Sequence, residues 1–136
     1  MSRFERLSAH FMRYEFECSG VDCCNHSSPI SQELIKALEI LREQIEREVG
    51  FEPFLTINSG FRCNKHNKKI GGSVNSQHTL GLAADIKDKY NRVEPILIAD
   101  IASEIEPFKS GGIGVYDTFA HVDIRKERAR WDERTK

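Results

Sequence analysis

The chain has no apolar run approaching the roughly 20 residues that carry a helix across a bilayer. Its charged start, Met1-Ser2-Arg3-Phe4-Glu5-Arg6, is not followed by the hydrophobic stretch of a secretory signal. Neither membrane insertion nor signal-directed export is therefore expected, and the chain reads as cytoplasmic when synthesised. It also lacks an excess of either charge. Lys and Arg number 20 against 21 Asp and Glu, for a net charge of -1, which gives no electrostatic reason to expect a nucleic-acid partner. The short basic runs Lys65-His66-Asn67-Lys68-Lys69 and Arg125-Lys126-Glu127-Arg128 read as solvated faces. Repeats, low-complexity tracts and Pro/Gly/Ser linkers are missing, so no internal boundary is drawn.

Cysteine is scarce but unevenly placed. Cys18, Cys23 and Cys24 fall within seven residues and Cys63 stands apart. The paired C-x-x-C spacing that makes a zinc motif strong is absent. Without a secretory signal, reduced thiols are the default. One disulfide, or a metal clip that also draws on His26, stays open.

What is present is ordinary for a globular protein: 136 residues, 39% hydrophobic and 30% charged. That is the size of a single domain with its own core, and no feature calls for more than a monomer. Residues 1–30 read as an N-terminal hook and a cysteine-containing loop packed on the rest. Ser31 is placed to cap a helix running to about Glu48, with Leu34, Leu38, Leu41 and Ile45 on one stripe and Gly50 as its stop. Residues 54–58 alternate as a strand, 64–70 form a short helix, and 82–86 read as a strand. Residues 93–105 give a second amphipathic helix with Ile96, Leu97, Ile101 and Ile105 inward. Residues 111–116 and 119–124 form a hairpin around Asp117-Thr118. The order predicts an α+β fold, a mostly antiparallel sheet with helices packed on it.

The chemistry lies in Ser76-Gln77-His78-Thr79-Leu80-Gly81-Leu82-Ala83-Ala84-Asp85. Histidine and aspartate both ligate zinc, and a turn at Gly81 would let His78 and Asp85 converge. By itself the pair is compatible with a loop histidine and an unrelated surface aspartate. Phe119-Ala120-His121-Val122-Asp123-Ile124 adds a second group, because alternation puts His121 and Asp123 together on the face opposite the apolar residues. They form either a metal-binding face or a hydrogen-bonded pair.

The Ser-x-His-x-x-Gly-x-Ala-x-Asp pattern, the His-Val-Asp at 121–123 and Ser59-Gly60-Phe61-Arg62 followed by Asn67 and Gly71-Gly72 resemble the zinc D-Ala-D-Ala carboxypeptidase and L-alanyl-D-glutamate endopeptidase family of peptidoglycan peptidases, whose fold is shared with the hedgehog signalling domain. The likeness runs from about Leu7 to Arg125. It implies Zn2+ held by His78, Asp85 and His121, with Arg62 anchoring a substrate carboxylate or a developing oxyanion and Ser76 contributing to substrate binding. It implies hydrolysis of peptide bonds in peptidoglycan stems or cross-links, by an enzyme reaching the wall through lysis or inside a phage particle. A zinc-stabilised binding module that does not cut is the alternative. Many relatives carry an acid three residues before the last zinc histidine, and Thr118 stands there in this chain. Asp123 is then the leading candidate for the general base and Asp117 the second. An inverted assignment, with Asp123 on the metal and His121 as acid/base, also fits the spacing.

Overall fold

The computed structural model describes residues 2–135. Helix α1 spans Gln32–Val49. The Ser31 hydroxyl accepts from the Leu34 N–H, and Gly50 closes the helix at φ 80°, a conformation open to glycine at little cost. Leu34, Leu38, Leu41 and Ile45, at helical spacing, are all buried. α1 packs on a sheet of β1 (Leu55–Ser59), β2 (Ala83–Asp88), β3 (Gly112–Val115), β4 (Ala120–Asp123) and β5 (Ala129–Asp132), in spatial order β1-β2-β4-β3-β5. All neighbours run antiparallel except β3 and β5, which are parallel. This is the α+β, mostly antiparallel architecture expected from the sequence. Two short helices complete it, α2 at Asn64–Lys69 and α3 at Pro95–Ala102. No helix among the described residues is long and apolar enough to cross a membrane.

Two details differ from the sequence reading. Helix α3 is shorter than residues 93–105 and turns Ile98, Ala99 and Ala102 fully inward, while Ile96, Leu97 and Ile101 stay half-buried. An almost entirely apolar helix carries little directional signal, so tertiary packing chooses its face. Strand β5 was not foreseen. Ala-Arg-Trp-Asp alternates over only four residues, too short a run to read as a strand by itself, and its ladder with β3 comes from a non-local approach.

The sheet has two different faces. Ala84, Ile86, Ile113, Val115, Ala120 and Val122 join α1 and α3 in the hydrophobic core. The opposite face carries a row that runs across four strands, with Asp85 beside His121, His121 beside Gly114 and Gly114 beside Trp131. Period-two alternation sends successive side chains to opposite faces, so one ladder builds a core and a site at once. At the β1 edge the register shifts between Ile57 and Ser59, a bulge beside Asp85. Bulges bend a strand and re-aim the residues beyond them; here those are Gly60-Phe61-Arg62.

Asp88 closes the far end of β2. Its buried carboxylate accepts from the Phe54 and Arg92 backbone N–H groups and from the Arg92 guanidinium.

Candidate metal centre

His78 and Asp85 meet as the turn at Gly81 requires. Residues Gln77–Leu80 form one 3-10 turn, and Ser76 Oγ accepts from the His78 N–H at its start. Gly81 ends it at φ 71°, where a Cβ would also strike the Pro29 carbonyl oxygen at 2.5 Å. The chain then enters β2 and presents Asp85. His78 Nε2 lies 3.2 Å from Asp85 Oδ1, and His121 Nδ1 lies 2.9 Å from the same oxygen. One donor atom from each of the three residues falls within 4.8 Å of the others.

The outer nitrogens are held as well. His78 Nδ1 is 2.7 Å from the Gly60 carbonyl, so it carries the proton and leaves Nε2 as a free donor. His121 Nε2 is 2.7 Å from Asp123 Oδ2, which leaves Nδ1 free. The two imidazoles thus adopt opposite tautomers and aim their lone pairs at one point. This is how metal-ligating histidines are usually fixed, each by a carbonyl or carboxylate behind it. Two neutral nitrogens and one carboxylate oxygen suit zinc, and three protein ligands leave a position open for water or substrate. The residues present fit the ion.

Burial works against ionisation of Asp85, but the adjoining His121 and His78 imidazoles outweigh it and bring its pKa to about 2. Burial likewise disfavours a charged His121, and the flanking carboxylates of Asp123 and Asp85 more than compensate, raising its pKa above the usual value. Asp123 is fully buried. Burial alone would push its pKa up, yet His121 and Arg125 hold it far below the ordinary carboxylate range.

His78, Asp85 and His121 line a pocket of about 340 Å³, within the range that takes a small ligand. Arg62 and Ser76 also line it. Arg62 Nη2 donates to Ser76 Oγ at 3.1 Å, while its buried Nε has no acceptor among the described residues. Burial lowers the Arg62 pKa and the nearby Asp85 charge partly restores it. Tyr116, Phe119 and Trp131 form an aromatic wall of the same pocket. The Trp131 indole N–H donates to the Tyr116 hydroxyl at 2.9 Å, and Tyr116 stacks on Phe119 with ring centroids 4.4 Å apart.

A family model described as Peptidase M15 matches residues 9–123. The chain belongs to the peptidase M15 family. M15 is a zinc peptidase family of the D-Ala-D-Ala carboxypeptidase type. No curated protein matches the chain.

In this M15 member the positions foreseen in the sequence separate into groups. His78, Asp85 and His121 come together, and Arg62 and Ser76 face the same pocket. Asp123, read as the leading candidate for the base, stands behind His121 rather than in the pocket. Its carboxylate is taken up by His121 Nε2, the Gly112 N–H and the Arg125 backbone and guanidinium. Nor does Asp123 share the donor cluster with His78, as the inverted ligand assignment would need. Asp117 lies outside the pocket, and its carboxylate accepts from the N–H and hydroxyl of Thr135, both at 2.9 Å. The hairpin turn carries it away from the ligand row.

Trp131, Tyr116, Arg125 and two glycines escaped the sequence reading. A Cβ on Gly112 would overlap the Asp123 carboxylate, and one on Gly114 would overlap the Trp131 indole. Their bare backbone lets both side chains lie flat across β3. The Gly-Gly-Ile-Gly run carried that signal, since glycine inside a strand marks a close approach.

Proposed function

We propose that this M15 peptidase hydrolyses peptide bonds in bacterial cell-wall stems or cross-links. The observation that carries the reading is the shared pocket, in which the ligand triad sits beside an arginine with an unspent buried donor. Zinc bound there would acidify a water and polarise a carbonyl. The remaining work falls to the chain. Arg62 offers its guanidinium to a free carboxylate of the substrate, a group suited to bidentate carboxylate recognition. Ser76 fixes the guanidinium and caps the turn that bears His78. Asp123 acts through His121, keeping the Nε2 proton in place and the ring in register. Tyr116 accepts from Trp131, so its own O–H is free to donate toward a developing oxyanion. The aromatic wall covers the apolar side of the peptide and limits access of bulk water.

A second reading, a metal-containing module that binds wall peptides without cutting, is favoured by one observation. Asp85 is the only carboxylate lining the pocket among the described residues.

Digestion of purified peptidoglycan followed by mass spectrometry separates the two. New stem fragments are expected with the native protein and not with Asp85→Ala. A folded, metal-loaded protein that retains wall peptides but releases no fragment would establish the second reading instead.

A further inference from the structure

The four cysteines converge on a single point. Cys18, Cys23, Cys24 and Cys63 bring their sulfurs within 4.8 Å of one another. Cys18 Sγ and Cys24 Sγ each lie 3.9 Å from Cys23 Sγ. A disulfide would need about 2.05 Å, and all four residues are free thiols. A tetrahedral zinc site with Zn–S bonds of about 2.3 Å has sulfur–sulfur edges of roughly 3.8 Å. Both 3.9 Å spacings are close to an edge of that tetrahedron and too long for a disulfide.

Backbone N–H groups reach two of the four sulfurs. Cys18 is fully buried yet stands outside the hydrophobic core cluster. Its sulfur faces the backbone N–H groups of Cys63 and Gly20. Cys63 Sγ accepts from the His66 N–H at 3.4 Å. Such N–H donors stabilise metal-bound sulfur. Gly20 is needed for the close wrap, because a Cβ there would sit 2.7 Å from Cys23 Sγ and 2.8 Å from the His66 side chain. His26 is not a member: its Nδ1 pairs with the Cys18 carbonyl at 2.8 Å.

We propose that Cys18, Cys23, Cys24 and Cys63 bind a second zinc ion in a closed, structural, all-thiolate site. The ion staples the N-terminal segment to the loop that carries Arg62. Cys63 directly follows Arg62. Two residues before Cys18, the Phe16 carbonyl accepts from the Phe61 N–H at 2.8 Å. A Cβ on Gly60 would meet the Phe16 Cα at 2.6 Å, and the Gly60 carbonyl is the group that orients His78. The thiolate site therefore supports both Arg62 and His78 from outside the pocket. With four protein ligands it keeps no open position, and it does not depend on what the pocket cleaves.

The test is metal content with a spectroscopic readout. The native protein should hold about two zinc ions per chain, and His78→Ala about one. Cobalt replacing zinc in His78→Ala should give intense sulfur-to-cobalt absorption in the near ultraviolet and the visible bands of tetrahedral cobalt. After denaturation and metal removal, all four thiols should react with a thiol reagent. A native protein with about one zinc and a His78→Ala variant with none would overturn the proposal. So would fewer than four reactive thiols, cobalt bound without thiolate bands, or iron in place of zinc. These readouts come from protein whose cysteines are intact, so they hold even where a Cys63→Ser variant does not fold. Failure to digest peptidoglycan would leave every one of them unchanged.

Discussion

The two donor clusters contrast in nearly every respect that matters to a metal. His78, Asp85 and His121 come from a 3-10 turn and two neighbouring strands, open onto a pocket, and supply three ligands of mixed nitrogen and oxygen type. The cysteines come from a loop and the residue capping α2, and supply four sulfurs of one type. The first set is held by side chains and carbonyls behind the ligands, the second by backbone N–H groups aimed at the sulfurs. An open mixed site suits chemistry and a closed sulfur site suits folding. One small molecule thus solves two problems with two coordination styles, and the loop 60–63 belongs to both. Gly60 orients a histidine, Arg62 faces the pocket, and Cys63 is a thiolate donor.

The largest expected effect separates the clusters by accessibility. Brief treatment with a hydrophilic chelator should abolish peptide hydrolysis, by on the order of a thousandfold, since the Lewis acid contributes several kcal/mol. The circular dichroism spectrum and the thiolate-bound ion should survive it. Loss of fold together with activity would show that the clusters are not independent. A smaller effect probes the support behind one ligand. Asp123→Asn should weaken metal retention at the open centre or its activity by about 10- to 100-fold, read by metal titration. The zinc held by sulfur should not change. Asp117→Asn, at the hairpin turn, is the matched control and should leave both untouched.

The smallest effect falls in neither cluster and tests the scaffold beneath them. Asp88→Ala should cost about 2 kcal/mol near neutral pH, because it leaves the Phe54 N–H and the Arg92 pairs without their acceptor. Although burial opposes the Asp88 charge, bonds from Arg92 and Phe54 lower its pKa from 3.8 to about 2. A carboxyl group whose pKa is depressed in the folded state stabilises above its unfolded value and loses that contribution as acid protonates it. The gap between variant and native protein should therefore be full above about pH 4 and shrink toward pH 2, as followed by denaturant unfolding. A gap independent of pH would place the stabilisation in packing rather than charge.

The helix α1, with its Ser31 cap, Leu34 to Ile45 stripe and Gly50 stop, was legible because every signal is local. The hairpin and the strand bearing Asp85 were legible for the same reason. The β3–β5 pairing was not, since a parallel ladder between segments separated by another strand leaves no mark in either one. The face that α3 buries was equally hidden, because all its candidates are apolar.

The ligands were readable for a related reason. Residue types and spacing restrict which side chains can ligate, and alternation puts His121 and Asp123 on one face. What alternation cannot say is which of two adjacent polar groups points into a cavity and which is enclosed by its neighbours. Glycine at 112 and Arg125 close over Asp123, which pairs with His121 Nε2 behind the pocket. The cysteines obey the same logic across a longer distance. Their spacing resembles no zinc motif, because the fourth ligand lies 39 residues beyond Cys24 in the chain. Helix α1, the faces of the strands bearing Asp85 and His121 and the chemical identity of the donors follow from near neighbours along the chain. Which donors converge was settled by folding, since convergence depends on contacts between segments that the chain order keeps apart.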